Sequence, residues 1–294
     1  MMGMRGPSLN HASCNAARRI EKAGCQTACY GDDPRMSDLA PQQHDLTPPW
    51  AAHVLTTAAI KAGDVILEVG AGHGALTAGM LKAGATVHAI ERDPQRVAGL
   101  QTKFAKQIAD GSFHLTAGDA LKCEHRLPLG WRVVANPPFN LTAPLLQRWM
   151  VGDDPAPDAI DLVLQREAGL KLSPKPGEQT RTSVLMAIAG RASVRLSIPR
   201  EATKPASRVD LCLWSFRREP DGPTPNELRA VDKLLHVAFA GPHTMADALR
   251  GLATGIQVRR QAQLHGWSPT DHPRNLPPSA WLPFAKLLAM CHKL

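Results

Sequence analysis

Residues 64–91 read DVILEVGAGHGALTAGMLKAGATVHAIE, and their pattern decides the fold. Residues 65–69 are an apolar run of strand length that ends in a glycine cluster, Gly70, Gly72 and Gly74. A run of this kind belongs to a strand covered on both faces, as in parallel sheets. ALTAGMLKAG then has helical spacing, and TVHAIE is a second short strand. Strand, glycine turn, helix and strand make one βαβ unit, whose strands are parallel and whose crossover is right-handed.

The alternation continues outward. Ahead of the unit, residues 50–60 carry apolar positions three and four apart and predict a helix. After it come a helix in DPQRVAGLQTKF (93–104), strands in FHLTAG (113–118) and WRVVAN (131–136), and a helix in APLLQRWM (143–150). Residues 159–165, 192–198 and 209–216 are further strands, the last two close enough to form an antiparallel edge. The expected fold is α/β, a doubly wound Rossmann-like sheet. SPKPGEQTR (173–181) is a loop of turn formers, and EPDGPTP (219–225) reads as a linker. Beyond it, NELRAVDKLLHVAFA, TMADALRGLATGI and PPSAWLPFAKLLAM predict three helices. The expected organisation is a poorly ordered tail over 1–40, a sheet domain over 41–218 and a small helical, RNA-binding domain over 219–294.

At 294 residues, with 44% hydrophobic and 20% charged side chains, the chain can bury a core without disulfides or metals. It has no run of about 18 apolar residues and no apolar core of a secretory signal near its start, so neither membrane nor export is expected. Six scattered cysteines fit reduced thiols in a cytoplasm, and a monomer is expected. His11, Cys14, Cys25 and Cys29 have a loosely zinc-like spacing, but the stretch between them is helical in pattern, and no metal is expected. The net charge of +8 is uneven: residues 165–208 hold nine Lys and Arg against three acids, and 222–294 hold eight against four. Clustered cations of this kind suit a polyanion, because they displace counterions condensed on phosphates.

Four places carry chemistry. Gly70 and Gly72 let a bound nucleoside approach the backbone at the carboxyl end of the first strand. Glu91 ends the next strand, where a carboxylate would take two ribose hydroxyls; both features suit NAD as well as S-adenosylmethionine. Asp119, after the third strand, can accept from an adenine amine or merely close a turn. Asn136-Pro137-Pro138-Phe139 follows the fourth. There the Asn136 oxygen and the Pro137 carbonyl can accept from one planar amine, while Phe139 stacks on its ring. Lys171, Lys175 and Arg181 flank the turn-rich loop beside this pocket and are expected to contact RNA. Trp214, Trp267 and Trp281 are read as core.

The ordered series ILEVGAGHGALT, AIERD, AGDAL and VVANPPFNLTAPLL, with Gln165-Arg166-Glu167, the stretch 204–210 and the terminal WSPTDHPRNLPPSAWLPFAKLL, resembles the rRNA adenine N6-methyltransferase superfamily over about residues 41–290. That superfamily holds the 16S rRNA dimethyladenosine transferases and the erythromycin-resistance 23S rRNA methylases. The resemblance implies S-adenosylmethionine as donor, with Gly70 against it, Glu91 on its ribose, Asp119 on its adenine and Asn136 between donor and target. It also implies a strap over the donor, here Gln43-His44-Asp45-Leu46, which brings in His44 and Leu46; His44 stands for the usual Asn and Asp45 for Phe. Leu211 stands for a serine, and Pro137 is a further departure. Asn-Pro-Pro-Phe with a short basic tail looks closer to the resistance methylases of actinobacteria. The reading is therefore methylation of adenine N6 in protein-free 23S rRNA with macrolide resistance. Alternatives are 16S rRNA dimethylation, a DNA adenine methyltransferase, or a non-catalytic nucleic-acid-binding relative.

Overall fold

The computed structural model describes residues 44–152, 155–173, 177–241, 244–291 and 293. The cysteines of the tail and Lys175 lie outside the described residues. The strands are β1 (Asp45–Leu46), β2 (Val65–Val69), β3 (Thr86–Glu91), β4 (Phe113–Ala117), β5 (Arg132–Ala135), β6 (Ala159–Gln165), β7 (Gly190–Ile198), β8 (Thr203–Lys204) and β9 (Leu211–Arg218). The helices in the first half are α1 (Pro48–Ala58), α2 (Ala75–Lys82), α3 (Pro94–Lys103), α4 (Ala105–Ala109) and α5 (Thr142–Val151). In the second half they are α6 (Arg166–Lys171), α7 (Arg181–Ala189), α8 (Pro225–Ala238), α9 (Met245–Ala248), α10 (Gly255–His265) and α11 (Trp281–Met290).

Seven strands form one sheet in the order β4-β3-β2-β5-β6-β9-β7. From β4 to β6 every pairing is parallel; β9 runs antiparallel to both β6 and β7. This is the doubly wound α/β sheet expected from the sequence, including its antiparallel edge. The order reverses between β2 and β5, and open sheets bind ligands in the crevice beyond the carboxyl ends of strands at such a point. Gly70 follows β2 and Asn136 follows β5, so both motifs open onto that crevice.

One face of the sheet buries Ile66, Val87, Ala89, Val134, Val163 and Leu213 together with Val54 of α1, Leu76 of α2 and Leu100 of α3. The other buries Leu67, Val133, Leu162, Leu164 and Trp214 with Leu145 of α5 and Leu185 of α7. Leu228, Val231 and Leu235 of α8 and Trp281, Phe284 and Leu288 of α11 join that second cluster, so the C-terminal helices share a continuous core with the sheet. Trp214 and Trp281 are fully buried and Trp267 nearly so.

A polar network crosses three strands within the first face. Asp161 of β6 is buried; its Oδ1 accepts from Ser215 Oγ at 2.6 Å and Arg217 Nη2 at 3.1 Å on β9, and its Oδ2 from Arg132 Nη2 on β5 at 3.2 Å. Arg132 also pairs with Asp64 at 2.9 Å.

Two elements differ from the expectation. The helix α7 follows the loop at 173–181, and residues 183–186 are buried. A short helix apolar nearly all round has no polar face, so periodicity does not distinguish it from a strand. TMADALRGLATGI is also not one helix. It breaks after Ala248, Gly251 takes φ 91°, and α10 restarts at Thr254, whose hydroxyl accepts from Gln257 N while Gln257 caps Thr254 N in return. Glycine is the residue that takes such a φ without strain, and the reciprocal cap marks a new N-terminus.

Candidate active site

The glycine turn is built on left-handed backbone: Gly70, Gly72 and Gly74 have φ of 73°, 57° and 74°. Gly70 N–H donates to Ile90 O at 2.8 Å, which locks the turn to the end of β3. Glu91, 1% exposed, reaches back across it. Its Oε2 accepts from Gly72 N at 2.9 Å, and its Oε1 from Arg92 N at 2.9 Å and Asp93 N at 3.0 Å. A carboxylate has about four lone-pair positions, so three backbone donors leave it room for a further partner.

Glu68, the acidic residue of the ILEVG motif, lies in β2 ahead of the same turn. It is buried, and Thr77 Oγ1 donates to its Oε2 at 2.6 Å. Burial pushes its carboxyl up to about 8, and the charge of nearby Glu91 pushes the same way. Its signal in the sequence is a lone Glu inside an apolar strand.

Asp119 closes a turn, its Oδ1 accepting from Leu121 N at 2.9 Å, while Gly118 N–H donates to Glu91 O at 2.9 Å. The ends of β3 and β4 are thereby joined, with the Asp119 side chain half-buried between them.

Asn136 is half-buried and its Nδ2 donates to the His44 carbonyl at 2.7 Å. Pro137 is buried and Phe139 half-buried. The His44 ring lies nearly parallel to that of Phe139, at 21° and 6.4 Å between centroids, and its Nδ1 bonds to Pro205 O at 2.9 Å. His44 thus meets Asn136 despite standing where the resemblance has Asn. Leu46 is buried, its side chain a member of the core cluster on the first face of the sheet.

The two described cations of the turn-rich loop part company. Lys171 is exposed at the end of α6. Arg181 is turned to α8, where Asp232 takes its guanidinium by two bonds, Nε to Oδ1 at 2.9 Å and Nη2 to Oδ2 at 2.6 Å, and Nη1 lies 3.0 Å from His236 Nδ1. A bidentate pair of this kind fixes α7 to α8. Two other segments with exposed cations meet, with exposed Glu167 and Asp210 among them. Arg166 N bonds to Asp210 O at 3.0 Å, which sets α6 beside residues 204–210, and Arg166, Lys171, Lys204 and Arg208 are all exposed there with Leu170 and Val209.

A glycine turn after β2, an acidic strand end on β3 and an Asn-Pro-Pro-Phe turn after β5, on a sheet of this order, define a Rossmann-like methyltransferase. The structure superposes on a 23S rRNA methyltransferase, ErmE, with TM-score 0.63 and 19% identity over 83% of this chain and 99% of that one. A dimethyladenosine transferase from Plasmodium falciparum gives 0.65 and 19%, over 85% and 98%. In sequence, the chain is 33% identical over 247 residues to ribosomal RNA small subunit methyltransferase A of Synechococcus sp. (strain CC9311), covering 79% of this chain and 88% of that protein. The family model described as ribosomal RNA adenine dimethylase matches residues 46–244. The chain belongs to the ribosomal RNA adenine dimethylase family. Among the described residues no helix is long and apolar enough to cross a membrane.

Proposed function

We propose that the protein transfers methyl groups from S-adenosylmethionine to N6 of adenine in small-subunit rRNA. This departs from the 23S rRNA that the Asn-Pro-Pro-Phe motif and short basic tail suggest. The relatives favour the small subunit, since proteins named for it share 31–33% identity over most of this chain, whereas likeness to the 23S enzyme is one of fold. Nothing in these relatives supports the expected role in macrolide resistance.

The residues present fit the donor. The left-handed turn at Gly70 and Gly72 brings backbone without side chains to the mouth of the crevice, with the Asp45 carboxylate over Gly72, and Glu91 keeps acceptor capacity beside it. Gly70, Gly72, Glu91 and Asp119 would hold the nucleoside, with the backbone of His44 and Leu46 above it. When bound, S-adenosylmethionine supplies an electrophilic sulfonium methyl, so the protein's part is to align an amine with it.

One observation carries this reading: Asn136 Nδ2 is committed to the His44 carbonyl. The amide is thereby oriented and its Oδ1 remains an acceptor for an N6 hydrogen. With the Pro137 carbonyl it would turn the amine lone pair out of conjugation, while Phe139 stacks on a base drawn out of its helix. Arg166, Lys171, Lys204 and Arg208, together with the basic segment 222–294, would grip the phosphates around that base.

The test is tritium transfer from labelled S-adenosylmethionine to 30S particles, naked 16S rRNA, naked 23S rRNA and DNA. Label is expected in 30S-derived RNA at adenine N6. Label confined to 23S rRNA or to DNA would move the substrate accordingly, and RNA binding without transfer would make the protein a non-catalytic relative.

A further inference from the structure

Residues 44–47 cross the crevice as a strap. On one side the backbone pairs with β8, Asp45 opposite Lys204 and Leu46 opposite Thr203, and Thr47 N donates to Ala202 O at 2.8 Å. On the other, the Asp45 side chain reaches the donor side of the crevice. Its Oδ2 accepts from His73 Nδ1 at 2.7 Å, and its Oδ1 lies 3.5 Å from Arg96 Nη1 on α3. The Asp45 carboxylate also sits directly over Gly72, where any Cβ would strike Oδ1. Gly72 is the residue whose N–H holds Glu91, and His44, next to Asp45, is the one whose carbonyl holds Asn136.

The two contacts of Asp45 are unequal. His73 is nearer but its side chain is 73% exposed, so water competes for that bond. Arg96 is farther but only 15% exposed, and its buried Nη1 makes no hydrogen bond of its own. Its other carboxylate neighbour, Asp93, caps α3 through Oδ1, and its Oδ2 lies 3.9 Å from Nε, on the other side of the guanidinium from Nη1 and farther than Asp45. Asp45 is therefore what answers the Arg96 charge at Nη1, and Arg96 is the firmer anchor.

We propose that Asp45 is a positioning residue: through Arg96, and secondarily His73, it latches the strap shut over the glycine turn, holding the donor in and the His44 carbonyl in place behind Asn136. The proposal rests on the reading of the crevice as a donor site. A donor enclosed by the strap leaves only when the strap opens, so the ion pair sets its dissociation rate. The carboxylate replaces the phenyl ring that the family's strap carries at this position, exchanging apolar packing for charge.

The test measures release of tritiated S-adenosylmethionine from the whole protein into excess unlabelled donor. Asp45→Ala and Arg96→Gln are each expected to speed release roughly tenfold, with association little changed, because losing one partner of a partly buried charge pair acts on departure. The double variant should release no faster than the quicker single one, since both remove one interaction. Asp45→Glu, which keeps the charge, should recover part of the retention, and kcat of Asp45→Ala should fall with the KM for RNA unchanged. Circular dichroism melts of the same variants report folding separately. Unchanged release from a folded Asp45→Ala protein, or additive effects of the two substitutions, would overturn the latch. A parent protein that binds no donor would bring down the donor-site reading itself, and the latch with it.

Discussion

The amide of Asn136 and the carbonyl of His44 are joined at 2.7 Å, across 92 positions of sequence. One residue follows a central strand, the other begins the strap, and the bond makes the orientation of the Asn136 side chain depend on where the strap lies.

Asn136→Asp keeps the shape and removes the donor, so a carboxylate would face the His44 carbonyl oxygen. Transfer is expected to drop at least about a hundredfold, the scale seen when one positioned polar group at a reacting centre is lost. Donor affinity should change less. Single-turnover assays beside calorimetry separate the two, and brisk turnover by this variant would place the target amine elsewhere.

Phe139→Ala should cripple transfer, whereas Phe139→Trp should retain most of it, because the slot needs a flat face and not a particular ring. Kinetics on the same RNA decide this. Equal losses in both variants would mean that Phe139 serves packing alone.

Glu68 gives stability a pH dependence of unusual sign. Its carboxyl titrates near 8 in the fold against 4.5 in its ordinary state. Between those values the unfolded chain has shed a proton that the folded chain keeps, so stability falls as pH rises, by up to about 1.4 kcal/mol per pH unit. The benefit is whole below about pH 4.5 and gone near pH 8. Glu68→Gln should flatten that slope in urea titrations from pH 5 to 8; an unaltered slope would assign it to other groups.

Asp232→Ala leaves the Arg181 guanidinium without its two-bond partner. A loss of about 1–3 kcal/mol in unfolding free energy is expected, with RNA affinity hardly moved. Filter binding that weakens strongly in this variant while stability holds would return Arg181 to the RNA surface.

Affinity for RNA should fall steeply with salt, by about 0.7–0.9 log units per log unit of salt for each phosphate neutralised. Replacing Arg166, Lys171 and Arg208 with Ala should lower that slope by about 2–3. A slope indifferent to all three would put the phosphate contacts on another face.

How much of this the sequence discloses depends on the distance over which a signal acts. Strands β2, β3, β5 and β6 are legible because burial on both faces demands continuous apolar runs, and the glycines after β2 because left-handed backbone favours them. The Asn136–Phe139 turn is legible because two prolines leave little else for it to be. By contrast β1 and β8 are two residues each and pair across more than 150 positions, so neither has a local pattern. Arg181 reads as a loop cation until Asp232, 51 residues on, appears beside it. Asp45 reads as a departure from a motif until α3 supplies Arg96.

The buried Asp161 acts on more than its own strand. Its ion pairs run to β5 on one side and β9 on the other, and each fits only one alignment of those strands. Sliding β6 by a single residue would turn the carboxylate among Trp214 and Phe216 on the opposite, apolar face, leaving Arg217 without a carboxylate and Arg132 with Asp64 alone. The same slip would offset β6, and α6 that follows it, by about 3.3 Å from β5 and the Asn-Pro-Pro-Phe turn. Three charges at the floor of the sheet thus serve as a ruler between the strand that leads to the amide and the strand that leads to the basic helix beside it.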